Sequence, residues 1–177
     1  FVRAFWALDK ALAYARHYPA INWTTSYSEY IDELKGFYDK NYGEEFLSCR
    51  QRVSNILSEE AKLMEIVKLI GADVLPEDQK LTITAAKLVR VGFLQQNAFH
   101  ADDTYVPLEK QLGMMKVILY FYDAAMKKIK DGVPVSQIAK TGLEDAIVKI
   151  KYNVPNNELQ KLDEYYPMID EKLAEVK

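Results

Sequence analysis

The densest group of chemically able side chains lies in GFLQQNAFHADDTYVP, from Gly92 to Pro107. Gln95, Gln96, Asn97, His100, Asp102 and Asp103 place amides, an imidazole and two carboxylates around one aromatic ring, Phe99. His100, Asp102 and Asp103 have the donor types of a metal site, but adjacent polar residues between helices also form a solvated, capping loop, which is the reading adopted. A di-iron bundle needs Glu-x-x-His pairs, whereas Tyr14 and Asn97 precede the two histidines, His17 and His100, by three residues. There is no GxxxxGK[ST] loop to cradle phosphates and no strand-turn-helix nucleophile elbow. Cys49 has no histidine near it in sequence and reads as a small apolar residue on a helix in a reducing compartment. No catalytic residue and no metal ligand is assigned within the chain.

The elements that must hold this corner are helices. The 177 residues are 49% hydrophobic and 28% charged, the composition of one compact domain, with seven glycines and six prolines and little strict alternation. A first helix is expected to carry Phe5, Leu8, Leu12 and Tyr14 on one stripe and to end before Pro19, leaving Tyr18 at a corner. Ser26 and Glu29 have the spacing of a capping box for a second helix reaching Tyr42 before Gly43. A long helix follows from Glu44 to Ile70, then the turn GADVLPEDQKLT, then a helix bearing Leu81, Ala85 and Leu88 that leads into the polar corner. Beyond Pro107, Leu112, Met115, Leu119, Tyr122, Met126 and Ile129 recur three and four residues apart until Gly132 and Pro134. Two more helices, Gly142 to Tyr152 and Asn157 to Val176, the latter kinked at Pro167, complete an all-α helical bundle.

Net charge of −3 and a pI near 5.5 give no basic field for nucleic acid or an anionic membrane surface. No apolar run approaches the ~20 residues of a membrane span, so direct membrane insertion is not expected and the chain is assigned to the cytoplasm. The opening FVRAFW has no initiator methionine and is apolar from its first residue, which is read as the mark of a piece of a longer chain.

Two long stretches, FWALDKALAYARHYPAINWTTSYSEY (Phe5 to Tyr30) and GFLQQNAFHADDTYVPLEKQLGMMKVILYFY (Gly92 to Tyr122), resemble the C-terminal helical domain of the catalytic A subunit of V-type and archaeal A-type rotary ATPases. The resemblance covers essentially the whole chain. It implies a single C-terminal domain over residues 1–177, preceded in the full subunit by a β-barrel, an insert and a P-loop nucleotide domain. The whole subunit would then be an ion-translocating ATP hydrolase or synthase, binding ATP or ADP with Mg through upstream residues, while this piece alone would be inactive. The implied partners are the upstream P-loop domain, non-catalytic B subunits alternating with A subunits in a hexamer, and the rotor of the central stalk. The complex would lie in the peripheral, cytoplasmic sector of a membrane assembly that moves protons or sodium.

The resemblance also implies roles for particular residues. Two aromatic side chains of such domains close over adenine, and they correspond to Tyr18 in RHYP and Phe99 in QNAF, with Gln96 as a further contact to base or ribose. The family more often carries phenylalanine at the first position; a tyrosine face still stacks. From pattern alone both rings read as core packing at helix ends. LMEIVKLIGADVLPEDQKLTITAAKLVR, Leu63 to Arg90, is similar to the region of the acidic DELSEED loop in the related F-type β subunit, which pushes on the rotor. Asp73, Leu75, Glu77 and Asp78 fall on that loop, while Val74 and Pro76 replace an acid and a serine. Pattern alone reads this segment as a solvated interhelical turn with Pro76 at a helix start. The alternative to the ATPase as a whole is a free-standing helical scaffold that binds a partner and no nucleotide.

Overall fold

A computed structural model describes residues 2–176. The chain opens on a small lobe. Strand β1 (Ala4–Phe5) pairs antiparallel with β2 (Tyr27–Ser28), and between them lies one short helix, α1 (Lys10–Tyr14). The helix expected through Phe5 and Leu8 is therefore corrected: the three- and four-residue spacings of that segment are shared by a strand, a bridge from Leu8 to Ile21, and a single helical turn. Asp9 starts α1 by accepting hydrogen bonds from the Ala11 and Leu12 N–H groups at 2.8 and 3.2 Å. The capping box is corrected as well. Ser26 Oγ accepts from the Ala7 N–H at 3.0 Å, across the lobe, and Tyr27 and Ser28 are in the strand.

Helix α2 (Ile31–Tyr42) follows and stops at Gly43, whose φ of +82° is a conformation open to glycine. Helix α3 (Glu45–Ile70) runs 26 residues, about 39 Å at 1.5 Å per residue. Its stripe of Val53, Ile56, Leu57 and Leu63 is buried, and Gly71, φ +88°, ends it. After a turn the chain returns antiparallel as α4 (Glu77–Lys87), which continues without a break into a π-helical segment, Leu88–Leu94. A one-turn helix, α5 (Ala101–Thr104), then leads to α6 (Leu108–Lys130).

Helix α6 is the axis of the bundle. Met115 and Leu119 of its expected stripe are buried, but so are Met114, Val117, Ile118, Phe121 and Ala125, because α3 and α4 pack on one side of it and the C-terminal segments on another. Short helices α7 (Val135–Ala139), α8 (Leu143–Val148) and α9 (Ile150–Asn153) close one end, so the helix expected over 142–152 is divided in two. A 3₁₀ segment, Leu159–Glu164, passes into α10 (Tyr165–Ala174) with Pro167 in its first turn, where a missing N–H leaves no helical bond broken. The expected kink at Pro167 is thus a change of helix type just before it. Among the described residues the sheet is limited to the two short strands, and the all-α reading holds.

Candidate functional site

The polar corner is built from two limbs that meet beside the π-helical segment. The first is the turn after α1, Arg16 to Pro19, in which Arg16 has φ +56° and the Tyr18–Pro19 peptide is cis. The second is the loop Gln95–Phe99, which leaves the π segment in an extended conformation. The Gln96 N–H donates to the Tyr18 carbonyl at 2.8 Å, and the Gln95 side-chain amide to the Arg16 carbonyl at 3.2 Å. These bonds bring residues 16–18 and 95–99 together across the sequence. Between them lies a cavity of about 490 Å³, lined by Arg16, Tyr18, Gln96, Phe99, Lys151 and Tyr152 among others. That volume is in the range of small-ligand clefts.

Neither aromatic is part of the core. Tyr18 is 55% exposed and Phe99 is 101% exposed, so the core-packing reading of both rings is set aside. Phe99 is held at its backbone: Asn97 Oδ1 accepts from the Phe99 N–H at 3.0 Å, closing an Asx turn. Gln96 is exposed, and its side-chain amide reaches the Asp103 carbonyl only at 3.5 Å, which leaves it free to turn.

The acids and the imidazole of HADD do structural work. Asp103 is 1% exposed and accepts from the Asn97 N–H at 2.6 Å, fixing the loop from behind. Asp102 accepts from the Asn156 N–H at 2.9 Å, and His100 Nδ1 accepts from the Asp102 N–H at 3.2 Å as the cap of α5. These atoms spend their lone pairs on backbone donors, as a capping loop does.

Sequence reasoning did not single out Lys151 and Lys110. Lys151 Nζ donates to the Val91 and Gln95 carbonyls at 2.7 and 2.6 Å, capping the π segment as it opens into the loop. Lys110 Nζ donates to the Lys151 carbonyl at 3.1 Å and to Asn156 Oδ1 at 3.0 Å. Burial lowers the pKa of both amines, opposed for Lys110 by Asp102 and Asp103 and for Lys151 by Asp103. Both are almost wholly buried, and nothing in local sequence marks a lysine for that, since the residue type is mostly exposed. Gly92 contributes closeness: a Cβ there would stand 3.3 Å from the Val148 Cα, so α8 packs directly on the π segment.

The second candidate region is the tip between α3 and α4. Asp73 and Asp78 are exposed, but Leu75 is buried at 5% exposure beneath the turn. As the helices stand, the Leu75 side chain anchors the tip and does not face outward. Glu77 accepts from the Val135 N–H at 2.7 Å and pairs with Lys80, and these bonds, the lysine's first, hold its carboxyl below the usual range. Beside Asp73 and Asp78 the outer surface of the tip carries apolar side chains, with Leu69, Ile70 and Val74 at 84%, 59% and 64% exposure. No helix of the described residues is long and apolar enough to cross a membrane.

Comparison with known proteins agrees with this architecture. The family model for the C-terminal domain of V and A type ATP synthase matches residues 35–139, more than half of the chain. The chain is 49% identical over 179 residues to V-type ATP synthase alpha chain 2 of Clostridium tetani, covering 97% of this chain and 30% of that protein. It is 44% identical to the V-type ATP synthase alpha chain of Halothermothrix orenii, over 97% of this chain and 29% of that protein. It is also 44% identical to the A subunit of the A-type ATP synthase of Methanopyrus kandleri, over 99% of this chain and 30% of that protein. It thus spans about 30% of the length of these relatives. With its bundle topology and its matched core helices, the chain belongs to the family of C-terminal domains of V and A type ATP synthases.

Proposed function

We infer that residues 1–177 form the single C-terminal helical domain of a catalytic A subunit in a rotary ATPase, and that the domain supplies one wall of an adenine pocket together with a lever toward the rotor. The observation that carries the reading is the pairing of two exposed aromatic rings, Tyr18 and Phe99, at one cleft in a chain of this family. Exposed rings held by backbone bonds suit a base that stacks without being read by hydrogen bonds. Gln96, with its loosely held amide, adds a contact to base or ribose. Phosphate cradling, Mg and the attacking water belong to a P-loop domain elsewhere in the subunit, since phosphoryl transfer depends on those parts. The isolated domain is inactive on this reading, and the whole subunit hydrolyses or makes ATP in step with ion movement.

The lever is the pair α3 and α4. Asp73 and Asp78 present charge at its tip, Glu77 braces α7, and Leu75 anchors the turn from inside. The partners are the upstream P-loop domain, the B subunits beside it in the alternating hexamer, and the central stalk, all in the cytoplasmic sector of a membrane-bound complex. An ATP analogue carrying a photoreactive azide on the adenine tests the pocket in the intact subunit. Labelling is expected on Tyr18 or within residues 95–99. Labelling confined to other parts of the subunit would remove the adenine assignment.

A further inference from the structure

Arg90 makes connections in three directions. Its carbonyl accepts two hydrogen bonds, one from His17 Nε2 at 2.9 Å and one from the Gln95 N–H at 2.9 Å. Its guanidinium donates from Nη2 to Glu60 Oε1 at 2.7 Å, and Glu60, 6% exposed, lies in the middle of α3. A carbonyl oxygen has two lone pairs, and here each serves a different wall of the cleft. His17 immediately precedes Tyr18, and Gln95 opens the loop that carries Gln96 and Phe99.

The local helix type makes this possible. The bond from Gln95 to Arg90 spans five residues, the π register, at the end of the π-helical segment. His17 reaches the same carbonyl from the small lobe, buried at 8% exposure with its ring centroid 5.6 Å from that of Trp23. A carbonyl can only accept, so Nε2 carries the hydrogen, and Nδ1 has no hydrogen-bond partner among the described residues. Among the described residues the Arg90 bond is therefore the imidazole's one hydrogen bond, and it ties the ring to that carbonyl. At the other end Glu60 is fixed on the long helix that runs to the tip at Gly71.

We propose that Arg90 is a positioning residue that sets both walls of the cleft from α3: through His17 it places Tyr18, and through the Gln95 N–H it places the Phe99 loop, while Glu60 ties its side chain to the lever. The proposal rests on the adenine reading and deepens it, since it names how that pocket is coupled to movement of the tip. Displacement of α3 reaches both rings by way of Arg90, and occupation of the cleft acts back on α3 by the reciprocity of linkage.

The test uses the full-length subunit and two ligands, ATP and inorganic triphosphate, each with Mg. Replacing an ion pair that is at least partly buried, as here with Glu60 buried and Arg90 half-buried, by apolar residues of similar volume commonly preserves folding, so Glu60→Met with Arg90→Met cuts the link to α3 and keeps the carbonyl in place. His17→Met cuts the link to Tyr18, and His17→Gln keeps a donor at the same reach. Each cut is expected to weaken ATP binding by roughly five-fold, at the lower end of coupling between sites, with triphosphate affinity unchanged. His17→Gln should restore the wild-type value, and combining the two cuts should weaken ATP no further than the stronger of them, because both break one chain of contacts. Unchanged ATP affinity, fold-changes that multiply in the combination, or an equal loss for triphosphate would each overturn the proposal. Phe99→Ala in the same assay separates the two readings: if it leaves ATP binding unaltered the adenine pocket fails, and if it weakens ATP while the cuts do not, only the Arg90 linkage fails.

Discussion

Truncation of Phe99 isolates binding from folding in a way few aromatic substitutions can. The ring is 101% exposed, so Phe99→Ala uncovers no apolar surface and leaves no cavity. The bonds that fix the loop, from the Phe99 N–H to Asn97 Oδ1 and from the Asn97 N–H to Asp103, are made by the backbone of residue 99 and by other residues, and they survive the change. Stability should therefore move by no more than about 0.5 kcal/mol, as for an ordinary surface substitution. Stacking of a base on an aromatic ring contributes about 1–3 kcal/mol, and each 1.4 kcal/mol is a factor of ten, so nucleotide affinity should fall by roughly five-fold to 150-fold. Equilibrium titration of the intact subunit with Mg-nucleotide, run beside a thermal melt of the same preparation, measures both quantities. Phe99→Trp should bind at least as tightly as wild type because it keeps a stacking face. An affinity that stays at the wild-type value with an unchanged melt would refute the reasoning, since the ring would then be absent from the pocket.

Two further perturbations address the frame around the cleft. Lys151→Met leaves the half-buried Val91 and Gln95 carbonyls without this donor, at a cost of about 1 kcal/mol each, the lower end for a group left unpaired; the melting temperature should fall and amide exchange should quicken over residues 95–99, and exchange unchanged there would show that the lysine does not hold the loop. Burial raises the Glu60 pKa above its ordinary 4.5, against the pull of Arg90. The protonated carboxyl therefore persists to higher pH in the folded state, so the folded chain binds more protons just above pH 4.5, and this contribution to stability is lost as pH rises through the folded value. Glu60→Gln removes the titration, so its melting temperature should gain on the wild type as pH increases across that window; a difference that stays constant with pH would contradict the assignment.

Legibility in the sequence follows length and environment. Helices α3 and α6 are readable because a long helix repeats its stripe often enough for the 3.6-residue period to stand out, and Gly43, Gly71 and Gly132 punctuate them. The small lobe is not, because five helical residues and two pairs of strand residues are too short to show a period, and Phe5, Leu8 and Leu12 fit a helical stripe by spacing alone. The π segment leaves no mark either: the residues from Leu88 to Leu94 are apolar enough to continue α4, and the change of register is imposed by what holds its end, Lys151 on the Val91 and Gln95 carbonyls and His17 on that of Arg90.

The more consequential failure concerns burial. By pattern, apolar residues go to the core and charged ones to solvent, yet Lys110 and Lys151 are buried while Trp6, Leu8, Tyr14, Tyr18, Leu69 and Phe99 are exposed. Periodicity cannot separate an apolar side chain that folds its own domain from one that meets something else, because both carry the same residue types. In this chain the exposed apolar side chains gather in particular places: the small lobe, the cleft beside it, and the tip of the α3–α4 pair. Folding accounts for the apolar residues of α6 that face its neighbours, where Phe121 and Val117 are wholly enclosed. It does not account for Phe99, whose ring touches no core and whose position is fixed by an asparagine, an aspartate and a lysine that each hold backbone instead of ring. The place of that ring is thus set by backbone bonds and not by packing within this domain, so changing the ring alone tests what it meets without disturbing what holds it.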